Sequence, residues 1–386
     1  MALTLNRRNW LKSGALLTGG MMMGMRSAGA THRKPYIPAQ YEHDFSGMAQ
    51  TGPPPMKARL LANENPFGLS DAVKDVIREN VDQVFKYPYF ELFDLQAEIA
   101  EKEGVEPENV MLGAGSTEIL VAAALAYGQG NVKILSADLT YMDLIAVAEM
   151  QGGIWDQVPL TDDYQFDLSG MASALKDHSL VYLVNPNNPT GRLLDRSELE
   201  GFCREVSDKV PVFLDEAYID LKDEAEKNSM VSLVREGKDV IVARTFSKLH
   251  ALAGLRIGYA IGQKDTIKRI MSFSSEFRTI SMMAVLAAQT SYKGGEFLQT
   301  SRDKIAESKA FLYQTLEDEG YEYIPSVTNF VLFPLKYMSG ERFQEEMFKR
   351  EVGIRKWQYR DQEWCRVSMG TMEEMKIFAK AFKELS

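Results

Sequence analysis

From about residue 69 onward the chain alternates short apolar runs with longer segments whose apolar positions recur every three to four residues. The runs Asn109–Leu112, Val132–Leu135, Leu180–Val184, Val212–Leu214, Val240–Ala243 and Ile257–Ile261 are rich in Val, Ile and Leu and are bounded by turn residues. Runs without polar alternation suit strands buried on both faces. Between them, Ser116–Tyr127, Tyr141–Met150 and Arg196–Ser207 carry a helical period. The pattern therefore predicts an α/β domain, a mainly parallel sheet wrapped by helices. Past residue 284 it predicts a long helical stretch to about Glu319, short strands near Asn329–Phe333 and Cys365–Ser368, and a closing helix from Met372. That is the pattern of a smaller α+β domain. Upstream, Pro35, Pro38, Gly52 and the run Pro53-Pro54-Pro55 favour an extended arm lying across a surface. The expected division is a leader over 1–30, an arm with part of the small domain over 31–84, a large domain over 85–283 and a small C-terminal domain over 284–386. No internal repeat is visible.

Composition adds exclusions. Of the 386 residues 45% are hydrophobic and 25% charged, enough chain for two or three domains with continuous cores. The two cysteines, Cys203 and Cys365, are too far apart for a zinc motif, and no metal site is expected. A net charge of −10 argues against nucleic-acid binding.

The first thirty residues read as a leader: a basic head with Arg7, Arg8 and Lys12, a short Gly- and Met-rich apolar stretch, and a small-residue cleavage site at Ala28-Gly29-Ala30. The apolar stretch falls short of the roughly 20 residues a spanning helix needs, so stable membrane insertion is not expected. The paired arginines resemble a twin-arginine export signal, with Asn6 where that pattern prefers Ser or Thr. Export to the periplasm and a mature chain beginning near Thr31 are the expectation.

Four of the predicted strands run into polar segments, and in open α/β sheets ligands bind beyond the carboxyl ends of the strands. Gly113-Ala114-Gly115-Ser116-Thr117-Glu118 opens a helix whose free N–H groups would hold a phosphate, although Ser and Thr are also ordinary N-caps. In Asn185-Pro186-Asn187-Asn188-Pro189-Thr190-Gly191 two prolines and a glycine present Asn188 rigidly, for a ligand or as part of a turn. Asp215 ends a strand three residues before Tyr218, and Ser247-Lys248 follows another, eight residues before Arg256. His250 has no metal or triad partner at useful spacing and reads as structural.

Together with Leu61-Ala62-Asn63-Glu64-Asn65-Pro66-Phe67-Gly68, Lys86-Tyr87-Pro88, Thr328-Asn329-Phe330 and Arg366-Val367-Ser368-Met369-Gly370-Thr371, these segments resemble the fold-type I pyridoxal-phosphate aminotransferases (class I/II), most closely the histidinol-phosphate branch. The resemblance covers nearly the whole mature chain. It implies an aspartate aminotransferase-like architecture, with a seven-stranded sheet in the large domain, and pyridoxal 5′-phosphate as cofactor. It makes Lys248 the amine that bonds the cofactor and moves the proton, Asp215 the partner of its pyridine nitrogen, and Asn188 and Tyr218 donors to its phenolic oxygen. Tyr141 would stack on the ring. Gly115, Ser116, Thr117, Thr245, Ser247 and Arg256 would hold the phosphate, joined by Tyr87 from a neighbouring subunit, which implies a homodimer with shared sites. Arg366 would clamp the substrate's anionic group, with Arg355, Asn63 and Asn329 as further substrate contacts.

The implied activity is a ping-pong transamination between an amino acid or amino-alcohol phosphate and a 2-oxo acid. A lyase of the threonine-phosphate decarboxylase type would use the same cofactor residues, and a non-catalytic binding module would need no such lysine. Histidine is made in the cytoplasm, so an export signal separates the enzyme from that intermediate and leaves the donor open.

Overall fold

A computed structural model describes residues 56–386; the leader and the Pro-rich arm lie outside the described residues. Strand β1 (Ala58–Arg59) comes first, followed by the seven strands of one sheet: β2 (Val110–Gly113), β3 (Lys133–Ala137), β4 (Ile154–Val158), β5 (His178–Val184), β6 (Val212–Asp215), β7 (Val240–Thr245) and β8 (Gly258–Ile261). Their order is β2-β8-β7-β6-β5-β3-β4, and only β8 runs against its neighbours. Successive residues of a strand face opposite ways, and both faces are cores. Leu112, Val181, Leu183 and Val242 point into one, and Met111, Tyr182, Phe213 and Ile241 into the other. Burial on both sides is why these strands carry no polar alternation.

Strand β4 has no counterpart in the sequence reading. Its residues Ile-Trp-Asp-Gln-Val lie at the sheet edge and are only partly buried, so no apolar run marks it. The predicted helical stretch from 284 to 319 is two helices, Met282–Tyr292 and Glu296–Asp318. Gly294 and Gly295 break it, with φ of +81° and +120°, values at which glycine has no steric penalty.

A second sheet joins β9 (Phe330–Pro334), β11 (Arg355–Tyr359) and β12 (Gln362–Ser368) in the antiparallel order β11-β12-β9. The short β10 (Val352–Gly353) pairs in parallel with β1. Ala58 and Leu60 share a third core with Phe333, Phe343, Phe378 and Phe382, so the two ends of the described chain are packed together. Strand β11, Arg-Lys-Trp-Gln-Tyr, was invisible for the same reason as β4: it is a polar edge strand. Among the described residues no helix is long and apolar enough to cross a membrane.

The sheet register decides where chemistry can occur. Val184 pairs with Asp215, Asp215 with Ala243, and Gly258 with both Thr245 and Gly113. All the polar segments that follow these strands therefore leave the sheet along one edge.

Candidate active site

Along that edge lies a cavity of about 310 Å³, bounded on the opposite side by β12 and the segment Ala62–Glu64. This is within the range of small-molecule sites. Its walls hold Asn63, Ser116, Thr117, Tyr141, Asn188 and Asp215, and also Tyr218, Thr245, Ser247, Lys248, Arg256, Arg355 and Arg366.

At one end hydroxyls and N–H groups converge. The helix Gly115–Tyr127 begins here, and the first N–H groups of a helix have no partner within it. Glu118 accepts a hydrogen bond from the N–H of Ala114 at 2.6 Å, and its other oxygen accepts from the N–H of Ser275 at 3.0 Å. These contacts tie the helix start to a neighbouring loop and leave the following N–H groups to the cavity. Gly115 has no side chain on the cavity wall and serves by close approach: with φ of +75°, a Cβ there would lie 2.5 Å from Nη2 of Arg256. Arg256 donates to Thr117 Oγ1 at 3.4 Å and to the Ala253 carbonyl at 3.1 Å. The hydroxyl of Thr245 donates to that of Ser247 at 2.9 Å. One guanidinium, four hydroxyls and a helix N-terminus form a donor set for a dianionic phosphate.

Asp215 is buried. Burial, more than any neighbour, pushes its carboxyl up to about 7, with the N–H of Ala217 and the charge of Lys248 opposing and Asp143 adding to the rise. Such a carboxylate is stabilised by a cation beside it. Arg244 and Glu216, the neighbours of Thr245 and Asp215, form an ion pair in the interior at 3.1 Å that ties the ends of β6 and β7 together. The sequence reading assigned neither a role, since a pair 28 residues apart has no local signature.

Between the two ends, Lys248 places Nζ 3.5 Å from the carbonyl of Ala62 and 5.4 Å from the ring centre of Tyr218. The Tyr218 hydroxyl accepts from Asn63 Nδ2 at 2.9 Å and from Asn188 Nδ2 at 3.5 Å. Asn188 Oδ1 in turn accepts from Arg366 Nη1 at 2.7 Å, and Arg366 Nη2 donates to the Leu61 carbonyl at 3.0 Å. Asn63 is held by Ser368, whose hydroxyl donates to Asn63 Oδ1 at 2.8 Å.

Asn329 and Tyr87 do not line this chain's cavity, and for Tyr87, expected to serve a neighbouring subunit, that is no departure. Asn329 is buried and not on the cavity lining, and its amide donates to the carbonyls of Asn63 and Glu64, which shapes the wall. Tyr87 is 72% exposed and takes no part in this chain's cavity. His250 is buried with Nδ1 2.7 Å from Ser291 Oγ, and burial lowers it to about 4, which keeps it neutral. Glu64 lines the cavity and was not foreseen; it ion-pairs with Arg59 at 2.7 Å.

An amine, a buried acid, an aromatic wall and a phosphate cradle in one cavity match the donor set that pyridoxal 5′-phosphate requires. The profile of the family "Aminotransferase class I and II" matches residues 55–382. The chain belongs to the class I and II aminotransferases. Histidinol-phosphate aminotransferase of Moorella thermoacetica is 33% identical over 330 residues, covering 85% of this chain and 85% of the relative. Histidinol-phosphate aminotransferase 2 of Carboxydothermus hydrogenoformans is 34% identical over 328 residues, covering 84% and 90%. The crystal structure of histidinol-phosphate aminotransferase from Sinorhizobium meliloti in complex with pyridoxal-5′-phosphate superposes with a TM-score of 0.81 at 26% identity, covering 94% of this chain and all of that one. This aminotransferase is a pyridoxal-phosphate-dependent transaminase with the aspartate aminotransferase fold.

The cofactor, when bound, supplies an aldehyde carbon for amine exchange and a ring that accepts electrons from the substrate's α-carbon. The residues of this aminotransferase provide the rest. Ser116, Thr117, Thr245, Ser247 and Arg256 would anchor the phosphate, Asp215 would hold a proton on the ring nitrogen, and Lys248 Nζ would be the base for the α-proton.

Proposed function

We propose that this aminotransferase takes its amino group from an amino acid or amino-alcohol phosphate and passes it to a 2-oxo acid, with Arg355 and Arg366 holding the donor's anionic group. The observation that carries this reading is the register of the second sheet. Arg355 and Arg366 are directly opposed across β11 and β12, and both line the cavity. Two guanidinium groups side by side on the cavity wall can present several N–H donors to one anion. A carboxylate or a phosphate monoester fits that pair.

The test is a screen of purified holoenzyme against amino acids and amino-alcohol phosphates with 2-oxoglutarate or pyruvate. An oxo acid or aldehyde product supports transamination, while release of carbon dioxide would reassign the enzyme to the lyases. Arg366→Ala should raise the KM for the preferred donor by at least about tenfold, the scale of one lost charge-assisted hydrogen bond. A KM equal to wild type would remove Arg366 from the donor site.

The proposal includes a homodimer in which Tyr87 serves the neighbouring site. In its support, Val81, Val84, Phe85, Tyr87, Phe90 and Phe93 are all exposed within one short segment. Apolar patches of this kind mark interfaces.

It also includes export with the cofactor already loaded. The cavity is built from strand ends spread between residues 110 and 261, so the chain must fold before the cofactor can bind. A twin-arginine route carries folded proteins. Changing Arg7 and Arg8 together to Lys should leave active, uncleaved enzyme in the cytoplasm, as read by fractionation. Wild-type processing of that variant would overturn the export reading.

A further inference from the structure

Asp143 is the first residue of the helix Asp143–Met150, two residues after Tyr141. An acid in the first turn complements the helix dipole, and that alone would account for its presence. Its contacts go further. The Tyr141 hydroxyl donates to Asp143 Oδ2 at 2.6 Å, and Tyr141 lines the cavity. A phenol bonded to a carboxylate is held in both position and ring angle.

The charge of Asp143 is also felt at Asp215 and at Tyr182. Tyr182 is wholly buried on β5, the strand paired with β6, which ends in Asp215. Its hydroxyl has no hydrogen-bond partner among the described residues. Asp143 thus acts both on Asp215, which lines the cavity, and on Tyr182 of the neighbouring strand. Carboxylates within each other's field resist joint ionisation unless a cation joins them. A second acid here therefore favours a cation at Asp215 more strongly than Asp215 does by itself. The other groups acting on Asp215 are Glu216 and the Ala217 N–H after β6 and Lys248 after β7.

We propose that Asp143 is a positioning residue of the transaminase site, holding Tyr141 against the cofactor and adding the second negative charge that keeps the cofactor's ring nitrogen protonated beside Asp215. This rests on the pyridoxal-phosphate assignment of the cavity. Asp143 need not touch the substrate to act in this way.

Asp143→Asn keeps an oxygen to accept from Tyr141 and removes the charge, while Asp143→Glu restores the charge. Full-length holoenzyme would be reconstituted with cofactor isotopically labelled at the ring nitrogen, and protonation of that nitrogen followed by NMR against pH. In Asp143→Asn the cofactor should still load, with the protonation midpoint about one pH unit lower, a tenfold weaker hold on the proton. The kcat–pH profile should move with it while KM for the donor stays within about twofold, and Asp143→Glu should recover most of the shift. A titration in Asp143→Asn superimposable on wild type would overturn the proposal and leave the transaminase assignment standing. Wild-type protein that binds no cofactor would instead overturn that assignment, and this proposal with it.

Discussion

Lys248→Ala is expected to abolish turnover and the visible absorption of bound cofactor while leaving the fold intact. Lys248 lines the cavity with the phosphate donors and Asp215, and among the described residues no other lysine does. In the role assigned to it, its removal would delete both the covalent attachment and the base for the α-proton. General acid–base catalysis by itself contributes about 10²–10⁴-fold, and the loss should reach at least the upper figure. Lys248 is only partly buried and its nearest polar contact is 3.5 Å away, so stability should change by no more than about 1 kcal/mol. Turnover and thermal unfolding together check this, and wild-type activity in the variant would remove Lys248 from the chemistry. The same variant tests the shared site. Mixed with an inactive Tyr87→Ala protein, it should recover activity, because a mixed dimer has one site with both defects and one with neither. Mixed dimers that form and stay inactive would place Tyr87 outside the partner's site.

Asp215→Asn should have opposite effects on catalysis and on the stability of the cofactor-free protein. An amide cannot hold a proton on the ring nitrogen, so the variant should bind cofactor and react at least about 10²-fold more slowly in single turnovers. The stability effect follows from linkage. In the cofactor-free protein burial raises the carboxyl to about 7, against roughly 3.9 in an unfolded chain. Between those values the folded state holds more protons than the unfolded one, so stability is full below about pH 4 and is lost as pH rises through 7. The loss amounts to at most about 4 kcal/mol. Cofactor-free Asp215→Asn escapes it and should unfold several degrees above wild type at pH 8, with little difference at pH 4. Equal midpoints at pH 8 would show that Asp215 is not the strained acid described above.

Both predictions concern residues that were legible in the sequence, because each sits in a local motif. The apolar runs marked the strands that lie inside the sheet, where burial on both faces demands Val, Ile and Leu. The polar segments after those runs were therefore candidates for a site. The run ending in Leu214 pointed to Asp215, and the one ending in Ala243 to Lys248. The family resemblance supplied their roles.

What depended on residues far apart in the chain was not legible. Strands β4 and β11 were missed because an edge strand needs no apolar run, and the break at Gly294-Gly295 was hidden inside a continuous helical period. That Asn329 supports the Asn63–Glu64 wall was hidden, since its amide meets carbonyls 265 and 266 residues away.

The facing of Arg355 and Arg366, the Arg244–Glu216 pair and the reach of Asp143 to Asp215 are likewise products of packing. The sequence by itself determined which groups are available and the order of the strands that present them, because residue type and periodicity are local properties. Only the tertiary structure decided which of those groups face one another, because register and burial are set by how the sheets and their helices close around a common core.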